Sequence, residues 1–256
     1  MPSNISKNSA TSPSLLQQIS TKYKIYGFWW TIRLTAQFLY RKIFFELLRH
    51  SYSQYGEDLI IASILNKKNI YYVDIGANHP QKFNNTFMFY RHGSSGINIE
   101  PNKSLLSQYF STRPRDLNLN LAISDKNTSL IFYNMYPDVN STISKTQYLH
   151  TQNLHSLLIN KQKIKVKTLQ HTLHKYLPTN QPIDLLCIDT EGHDYQVLKS
   201  NDWSKYSPTV ICIETQLHGL EQQYLLKLGY LLYAQTSLNS IYLKKDSSLF
   251  SLPTPL

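Results

Sequence analysis

The chain has little glycine and little cysteine, and both shortages exclude classes of protein. Its 256 residues include eight glycines and two cysteines. No two glycines are spaced as G-x-G, and no G-x-x-x-x-G-K motif occurs, which argues against the common dinucleotide- and triphosphate-binding loops. The cysteines, Cys187 and Cys212, are too few for a disulfide scaffold or a four-cysteine zinc site. Both lie in apolar runs, and we expect them to be buried and reduced.

Acidic residues are also scarce, so the chain is basic. Sixteen Asp and Glu residues stand against 26 Lys and Arg residues, for a formal net charge of +10. Such an excess first suggests nucleic acid or an acidic membrane surface as a partner. Residues 1–50 alone supply +6, however, so the basic character belongs mainly to an N-terminal extension. No RNA-binding motif or aromatic stripe accompanies the remaining charge, and we expect no nucleic-acid partner.

Long apolar runs are missing from the N-terminal extension as well. Residues 1–14 are polar, which predicts a disordered start without the apolar core of a signal peptide. Within residues 15–50 the longest uncharged run, 25–32, is far shorter than the ~20 residues that span a bilayer. Apolar residues there recur at helical spacing, which predicts an amphipathic helix. It would pack on the main domain, on a second subunit or on a membrane surface. We expect a cytoplasmic protein, with peripheral membrane or dimer contact through 15–50 as the open question.

Residues 51–246 alternate between short apolar strands and helical segments, followed by a tail at 247–256. The predicted strands are 70–75, 96–99, 117–123, 130–133, 164–166, 183–189, 208–214, 230–235 and 240–244. The predicted helices are 56–67, 86–92, 104–112, 169–176, 195–200 and 220–228. The polar, poorly periodic residues 134–160 predict a long loop or lid. The alternation indicates an α/β fold, a Rossmann-like, mostly parallel sheet with helices on both faces. The last two strands are too close for a crossover connection, so they predict an antiparallel edge.

The scarce acids collect at the ends of the predicted strands. They are Asp74, Glu100, Asp189, Glu191 and Glu214. Ligands of such sheets bind at the carboxyl ends of the strands, and uncompensated carboxylates there suit a ligand that is cationic or offers hydroxyls. A carboxylate after the second strand is well placed to accept both hydroxyls of a ribose. One glycine in the first loop, without the others of a pyrophosphate site, favours a cationic nucleoside such as S-adenosylmethionine over NAD.

Five blocks of the sequence resemble one protein family. They are SQYGED at 53–58, YVDIGANHP at 72–80, GINIEPN at 96–102, RPRD at 113–116 and IDTEG at 188–192. In this order they resemble the FkbM family of S-adenosylmethionine-dependent methyltransferases, over roughly residues 51–215. The resemblance implies a class I methyltransferase fold, whose seven-stranded sheet has an antiparallel last strand. It also implies O-methylation, commonly of sugars or natural-product hydroxyls.

The resemblance also implies a cofactor site built from these blocks. Gln54 and Glu57 would cap the site, Asp74, Gly76 and Asn78 would line the methionine and ribose parts, Glu100 would hold the ribose, and Ala122 would lie by the adenine. The full set that we predict for S-adenosylmethionine is Gln54, Glu57, Asp74, Ile75, Gly76, Ala77, Asn78, Glu100, Pro101, Ala122 and Asp189.

Methyl transfer to an alcohol gains from a base that removes the hydroxyl proton, typically by ~10²–10⁴-fold. The candidates are Asp189, Glu191, His79 and His193, and we favour Glu191 or Asp189. Alternatively, Asp189 holds backbone N–H groups of the next helix. A divalent metal on the four candidates is a further alternative, but no ligand spacing is diagnostic and we predict no metal site.

The acceptor is expected to be a small molecule or a glycan. Lysines in and beside the predicted loop either favour an acidic acceptor, such as an anionic glycan, or only solubilise the loop; they are Lys145, Lys161, Lys163 and Lys165. The competing hypothesis is a non-catalytic adaptor that retains the methyltransferase fold and binds a membrane or a partner through residues 15–50.

Overall fold

A computed structural model describes residues 51–152, 156–214, 219–247 and 249. The chain divides into two units, Met1–Arg49 and His50–Leu256, and the described residues all belong to the second. The predictions for residues 1–14 and 15–50, and for most of the tail, lie outside the described residues. Within the described ranges, no helix is long and apolar enough to cross a lipid bilayer.

Helices and strands alternate along the described chain. The helices are α1 (Glu57–Leu65), α2 (Phe87–Arg91), α3 (Lys103–Thr112), α4 (Lys145–Gln152), α5 (Leu169–Tyr176), α6 (Asp194–Lys199) and α7 (Leu220–Lys227). The strands are β1 (Tyr71–Ile75), β2 (Ser95–Ile99), β3 (Leu117–Leu119), β4 (Ala122–Ile123), β5 (Thr128–Tyr136), β6 (Leu157–Lys167), β7 (Leu185–Ile188), β8 (Val210–Glu214), β9 (Tyr230–Gln235) and β10 (Asn239–Lys244). A short 3₁₀ helix spans Asp138–Asn140.

The main sheet has seven strands in the order β3-β2-β1-β7-β8-β10-β9. Strands β3, β2, β1, β7 and β8 pair in parallel, while β10 is antiparallel to both β8 and β9. This arrangement confirms the mostly parallel sheet with an antiparallel strand at one side, as the resemblance implies. Because β1, β2, β7 and β8 run in the same direction, their carboxyl ends meet at one edge.

Two hydrophobic clusters cover the two faces of this sheet. Alternate residues of β1 point to opposite faces, so Val73 belongs to one cluster and Tyr72 to the other. Cys187 and Cys212 lie in the second cluster as buried free thiols, which confirms the expectation for them. Each fully buried large apolar side chain contributes roughly 1.5–3 kcal/mol of transfer free energy. The packed faces therefore give the carboxyl edge a rigid base.

The segment 134–160 is not a long loop, and that prediction is wrong. It contains the end of β5, the 3₁₀ helix, α4 and the start of β6, and β5 and β6 pair antiparallel in a second sheet of order β4-β6-β5. Of β6, only residues 164–166 are predicted as a strand; the rest was missed because one face of β6 is open to solvent and carries the exposed side chains of Lys161, Lys163 and Lys165. A strand with so few inward apolar residues lacks the hydrophobic periodicity of a core strand.

The predicted strand 117–123 is two strands in two different sheets. Strand β3 pairs with β2 in the main sheet, whereas β4 pairs with β6 in the second sheet. Between them, the Asn120 amide donates hydrogen bonds of 2.9 Å to the carbonyl oxygens of Glu100 and Pro101. This turn carries the chain from one sheet to the other. It also ties the second sheet to the end of β2, where the candidate site begins.

Candidate active site

Backbone hydrogen bonds join the loops at the carboxyl edge of the main sheet. The backbone N–H groups of Gly76 and Ala77 donate to the Ile99 carbonyl at 3.0 and 3.2 Å, and the Asp189 N–H donates to the Ile75 carbonyl at 3.0 Å. The ends of β1, β2 and β7 are therefore fastened together. The structure brings Asp74, Glu100, Asp189 and Glu214 to this one edge, as the strand pattern predicts.

Gly76 occupies a position that no other residue fits. Its φ is +77°, and a Cβ at this position would lie 1.8 Å from the Asp189 carbonyl oxygen. The loop after β1 therefore presses directly against the start of the loop after β7. Asn78, two residues further on, also has a positive φ of 47°. The backbone of this loop is held in a conformation that sequence patterns alone do not specify.

Glu100 follows β2 and is nearly closed off from solvent. Its two carboxylate oxygens accept hydrogen bonds from the N–H groups of Asn78, at 2.8 Å, and Asn102, at 2.6 Å. Burial raises the pKa of Glu100 to about 7, although these two hydrogen bonds oppose the shift. Each oxygen still has a second lone pair, so the carboxylate is able to accept the two hydroxyls of a ribose.

Asp74 lies inside β1 and is also buried. Its Oδ2 accepts hydrogen bonds from the Thr86 hydroxyl at 2.8 Å and, at 3.4 Å, from the Asn84 amide. Burial raises the pKa of Asp74, and the positive charge of Arg113 opposes that shift. The other residues predicted for the cofactor on these loops form the same edge; Ile75 and Ala77 are buried, and Asn78 and Pro101 are half-buried.

Asp189 and Glu191 lie on the loop after β7. The Asp189 side chain remains open to solvent. Surrounding protein atoms nevertheless remove much of its hydration, and they and the charges of Glu191 and Glu214 raise its pKa well above the usual range. Burial, followed by the charges of Glu214 and Asp194, raises the pKa of Glu191 to about 8. Asp189, Glu191 and Glu214 therefore form an acidic cluster at the carboxyl edge of the sheet.

The acids of this cluster form no ion pair within the described residues. The ion pairs there are Lys67–Asp184 and Arg113–Asp116, and neither involves Asp189, Glu191 or Glu214. The cluster also includes Asp194, which sequence analysis missed. Its Oδ1 accepts from the Thr190 N–H and hydroxyl, while its Oδ2 is buried without a partner, and burial raises its pKa to about 7. The only sequence feature that marks Asp194 is its place as an acid in the first turn of α6.

The two candidate histidines differ in their surroundings. His79 Nδ1 accepts hydrogen bonds from the Gln81 and Lys82 N–H groups, both at 3.1 Å, and burial lowers its pKa to about 4. This ring is neutral, with its acceptor nitrogen occupied, which favours a structural role. His193 precedes α6, and its Nδ1 is buried without a hydrogen-bond partner. Within the described ranges, no three His, Cys, Asp or Glu side chains are grouped so as to hold a metal ion.

Three residues predicted for the cofactor have other surroundings. Glu57 is fully buried, and its carboxylate accepts from the Tyr55 N–H at 2.8 Å and the Thr236 hydroxyl at 2.7 Å, which fastens α1 to the turn between β9 and β10. Gln54 is half-buried just before α1. Ala122 is buried in the core of the second sheet. Their contact with a cofactor remains a prediction.

The second sheet, α4 and the segment between them contact the loop after β7 and the loop after β2. The Thr142 hydroxyl donates to the Glu191 carbonyl oxygen at 2.7 Å, and the Gln147 side chain bonds the Glu191 carboxylate. On the other side, the Asn102 amide donates to the Asn134 side chain at 3.3 Å. The segment predicted as a lid thus adjoins the site as folded structure. Sequence analysis missed Thr142 and Gln147 because nothing local links them to residue 191.

The carboxyl edge thus presents a cluster of acids and a buried glutamate, and a comparison with protein families bears on what they bind. The family model described as the methyltransferase FkbM domain matches residues 74–232. The chain belongs to the FkbM methyltransferase family. FkbM methyltransferases use S-adenosylmethionine, so this chain carries out methyl transfer from that cofactor. Each oxygen of Glu100 accepts one backbone hydrogen bond and is able to accept another, which fits the two hydroxyls of a ribose. The acids around Asp189, which form no ion pair within the described residues, fit the positive charge of this molecule.

Solved structures similar to the FkbM chain include two bacterial methyltransferases. A TehB-like SAM-dependent methyltransferase from Corynebacterium glutamicum is 11% identical, with a TM-score of 0.38, and the match covers 82% of this chain and 99% of that one. An O-methyltransferase from Bacillus cereus in complex with SAH is 11% identical, with a TM-score of 0.33, and the match covers 88% and 91%. No curated protein matches the sequence.

Proposed function

We propose that the chain is an O-methyltransferase that acts on a hydroxyl group of a sugar, a glycan or a natural product. The observation that carries the proposal is the pair of carboxylates after β7, Asp189 and Glu191, which lie in an acidic cluster and form no ion pair within the described residues. The sulfonium group of S-adenosylmethionine carries an already activated methyl group, so the main task of the protein is to align the reactants and exclude water. An alcohol additionally requires removal of its proton, and a carboxylate with a raised pKa is suited to that task.

Residues at the ends of β1 and β2 would hold the cofactor. Glu100 would accept the ribose hydroxyls, and the loop containing Gly76 and Asn78 would lie along the methionine part. The negative charge of Asp74 and Asp189 would balance the positive charge of the sulfonium and the amino group. When bound, S-adenosylmethionine supplies the methyl group, and the remaining requirement is a base that faces the acceptor.

Glu191 is the base that we favour. Its pKa of about 8 makes it a stronger proton acceptor than an ordinary glutamate, and enough of it is ionised near neutral pH to act. Its backbone has a positive φ of 51°, a conformation that costs non-glycine residues about 1–3 kcal/mol and is commonest at functional sites. The hydrogen bond from Thr142 to its carbonyl oxygen supports that conformation. Asp189, which is more exposed, is the second choice.

The surroundings of Glu191 also bear on the acceptor. Lys145 begins α4, the helix whose Gln147 contacts Glu191, and Lys145 is exposed. Lys161 lies over the stacked rings of Tyr133 and Tyr148. Lys163 and Lys165 continue along the exposed face of β6. We therefore include anionic glycans in the proposed acceptor class, since these cations would attract them.

Calorimetric titration and transfer of a labelled methyl group test the proposed function. S-adenosylmethionine and S-adenosylhomocysteine should bind, and NAD should not. Incubation of the protein with methyl-labelled cofactor and fractions of cell extract should place the label in a base-stable ether of a hydroxylated compound. Glu191→Ala should abolish most transfer while cofactor affinity is retained. Label on nitrogen or sulfur instead of oxygen would refute O-methylation but leave methyl transfer intact.

A further inference from the structure

Arg113, in the RPRD block, is a fully buried cation, and each of its three guanidinium nitrogens donates a hydrogen bond. Its Nε donates to Asp116 at 2.8 Å, its Nη1 to the Asn84 side-chain oxygen at 3.1 Å, and its Nη2 to the Thr86 hydroxyl at 2.9 Å. The rings of Tyr72, Tyr90 and Tyr109 lie 5.2, 5.3 and 5.5 Å from its guanidinium carbon. Arg113 is therefore unable to touch a ligand directly.

The partners of Arg113 lead directly to the cofactor loop. Thr86 donates to the Asp74 carboxylate at 2.8 Å, and the Asn84 amide donates to the Ala77 carbonyl oxygen at 3.1 Å. The Tyr109 hydroxyl donates to the same carbonyl at 2.6 Å. Both the acid inside β1 and the backbone of the loop after it are thus held by groups that Arg113 contacts.

The direction of the hydrogen bonds that Thr86 and Asn84 make depends on Arg113. The Thr86 hydroxyl has one proton and also lies 2.9 Å from the Asn84 oxygen, a competing acceptor. Arg113 donates both to that oxygen and to the hydroxyl oxygen, so the hydroxyl proton is directed to the stronger acceptor, the Asp74 carboxylate. The same donation fixes the orientation of the Asn84 amide, so that its NH₂ group faces Ala77 and Asp74.

We propose that Thr86 and Tyr109 are positioning residues of the cofactor site: held in place by Arg113, Thr86 fixes the Asp74 carboxylate and Tyr109 fixes the Ala77 carbonyl. The proposal rests on cofactor binding at the loop after β1, as in the proposed function, and does not depend on which acceptor is methylated. If the buried network around Arg113 served only stability, its disruption would lower the free energy of unfolding. The cofactor affinity of the folded protein would then stay unchanged.

The test separates affinity from stability with a matched set of variants. Thr86→Val keeps the shape of the side chain but is unable to donate to Asp74, whereas Thr86→Ser keeps the hydroxyl. Binding of S-adenosylhomocysteine is measured by calorimetry below the melting temperature of each variant. We expect the Kd to rise about tenfold or more for Thr86→Val and less than about threefold for Thr86→Ser, as for loss of a hydrogen bond to a charged group.

A control lies beside the amino end of β1, on the side of the sheet opposite to the proposed cofactor loop. Asp184 is buried, pairs with Lys67 and accepts from the Tyr71 N–H at 2.9 Å. Asp184→Asn should lower the melting temperature and leave the Kd unchanged. If Thr86→Val is not folded by near-UV circular dichroism, Tyr109→Phe replaces it, since it removes only the hydroxyl that holds Ala77, and its Kd should rise at least about threefold.

The outcomes divide cleanly. A folded Thr86→Val protein, or failing that a Tyr109→Phe protein, that binds S-adenosylhomocysteine as the wild type does would overturn the positioning role while the proposed function stands. A wild-type protein that does not bind S-adenosylhomocysteine would instead refute the cofactor site itself. Loss of affinity in Asp184→Asn equal to that in Thr86→Val would also overturn the proposal, because general destabilisation would then explain both.

Discussion

The Thr142 hydroxyl donates a hydrogen bond of 2.7 Å to the backbone carbonyl oxygen of Glu191. This contact joins residues 49 positions apart and connects the second sheet to the loop after β7. Glu191 needs such support because its backbone has a positive φ. The segment that follows β5 therefore supports the loop that carries the proposed base.

Thr142→Val should reduce methyl transfer with little effect on cofactor binding. The variant keeps the side-chain shape but removes the donor to the Glu191 carbonyl, so the strained loop is free to relax and the proposed base shifts. We expect the rate of label transfer to fall about three- to tenfold. The affinity for S-adenosylhomocysteine, for which we propose a site at the ends of β1 and β2, should stay within about twofold. Equal losses of rate and affinity would argue against a local effect on Glu191.

Gly76→Ala should be far more damaging than Gly229→Ala. Both glycines have positive φ, +77° and +82°, so both substitutions carry the left-handed strain of roughly 1–2 kcal/mol. A Cβ at Gly229 meets nothing within 4 Å, whereas one at Gly76 would lie 1.8 Å from the Asp189 carbonyl oxygen. Urea unfolding should show a loss of about 3 kcal/mol or more for Gly76→Ala. Calorimetry should show loss of cofactor binding in that variant alone.

Glu100→Gln should weaken cofactor binding. The Asn78 and Asn102 N–H groups both donate to this side chain, and a glutamine offers them one acceptor and one donor. The variant therefore loses a backbone hydrogen bond and an acceptor for a ribose hydroxyl. We expect the Kd for S-adenosylhomocysteine to rise about tenfold or more. An unchanged Kd would mean that the ribose is held elsewhere.

The sequence predicts the main sheet and its acidic edge because both follow from local patterns. The strands that carry Asp74 and Asp189 are short, nearly continuous apolar runs, and parallel strands bring their ends together. The second sheet was predicted only in part, as the short strands 130–133 and 164–166, because β6 is exposed on one face. The roles of Thr86 and Asp194 were missed for another reason. Their significance arises from contacts across the fold, such as Thr86 with Asp74, that no local period encodes.

Methyl transfer should increase with pH and level off above about 8. Burial and the neighbouring charges of Glu214 and Asp194 raise the pKa of Glu191 to about 8, so the base form is the minor species at pH 7. The rate under saturating cofactor should therefore rise by up to about tenfold between pH 7 and the plateau. In Glu191→Gln the increase in rate near pH 8 should disappear along with most of the activity. If the residual rate still increases near pH 8 in this variant, the titration belongs to Asp189 or to another group.

The stability of the cofactor-free protein should decrease as pH rises from about 5 to 8. Burial raises the pKa values of Glu100 and Asp194 to about 7 each. The unfolded chain releases these protons near pH 4–4.5, whereas the folded protein keeps them up to about pH 7. Between these pH values the folded state binds more protons, so the free energy of unfolding falls as the pH increases. Asp194→Asn should flatten this dependence and increase stability at pH 8. The amide stays neutral, its oxygen still accepts from Thr190, and its NH₂ group replaces the buried Oδ2 that lacks a partner. Urea unfolding at pH 5, 6, 7 and 8 measures both effects, and a wild-type stability that rises over this range would contradict the raised pKa values.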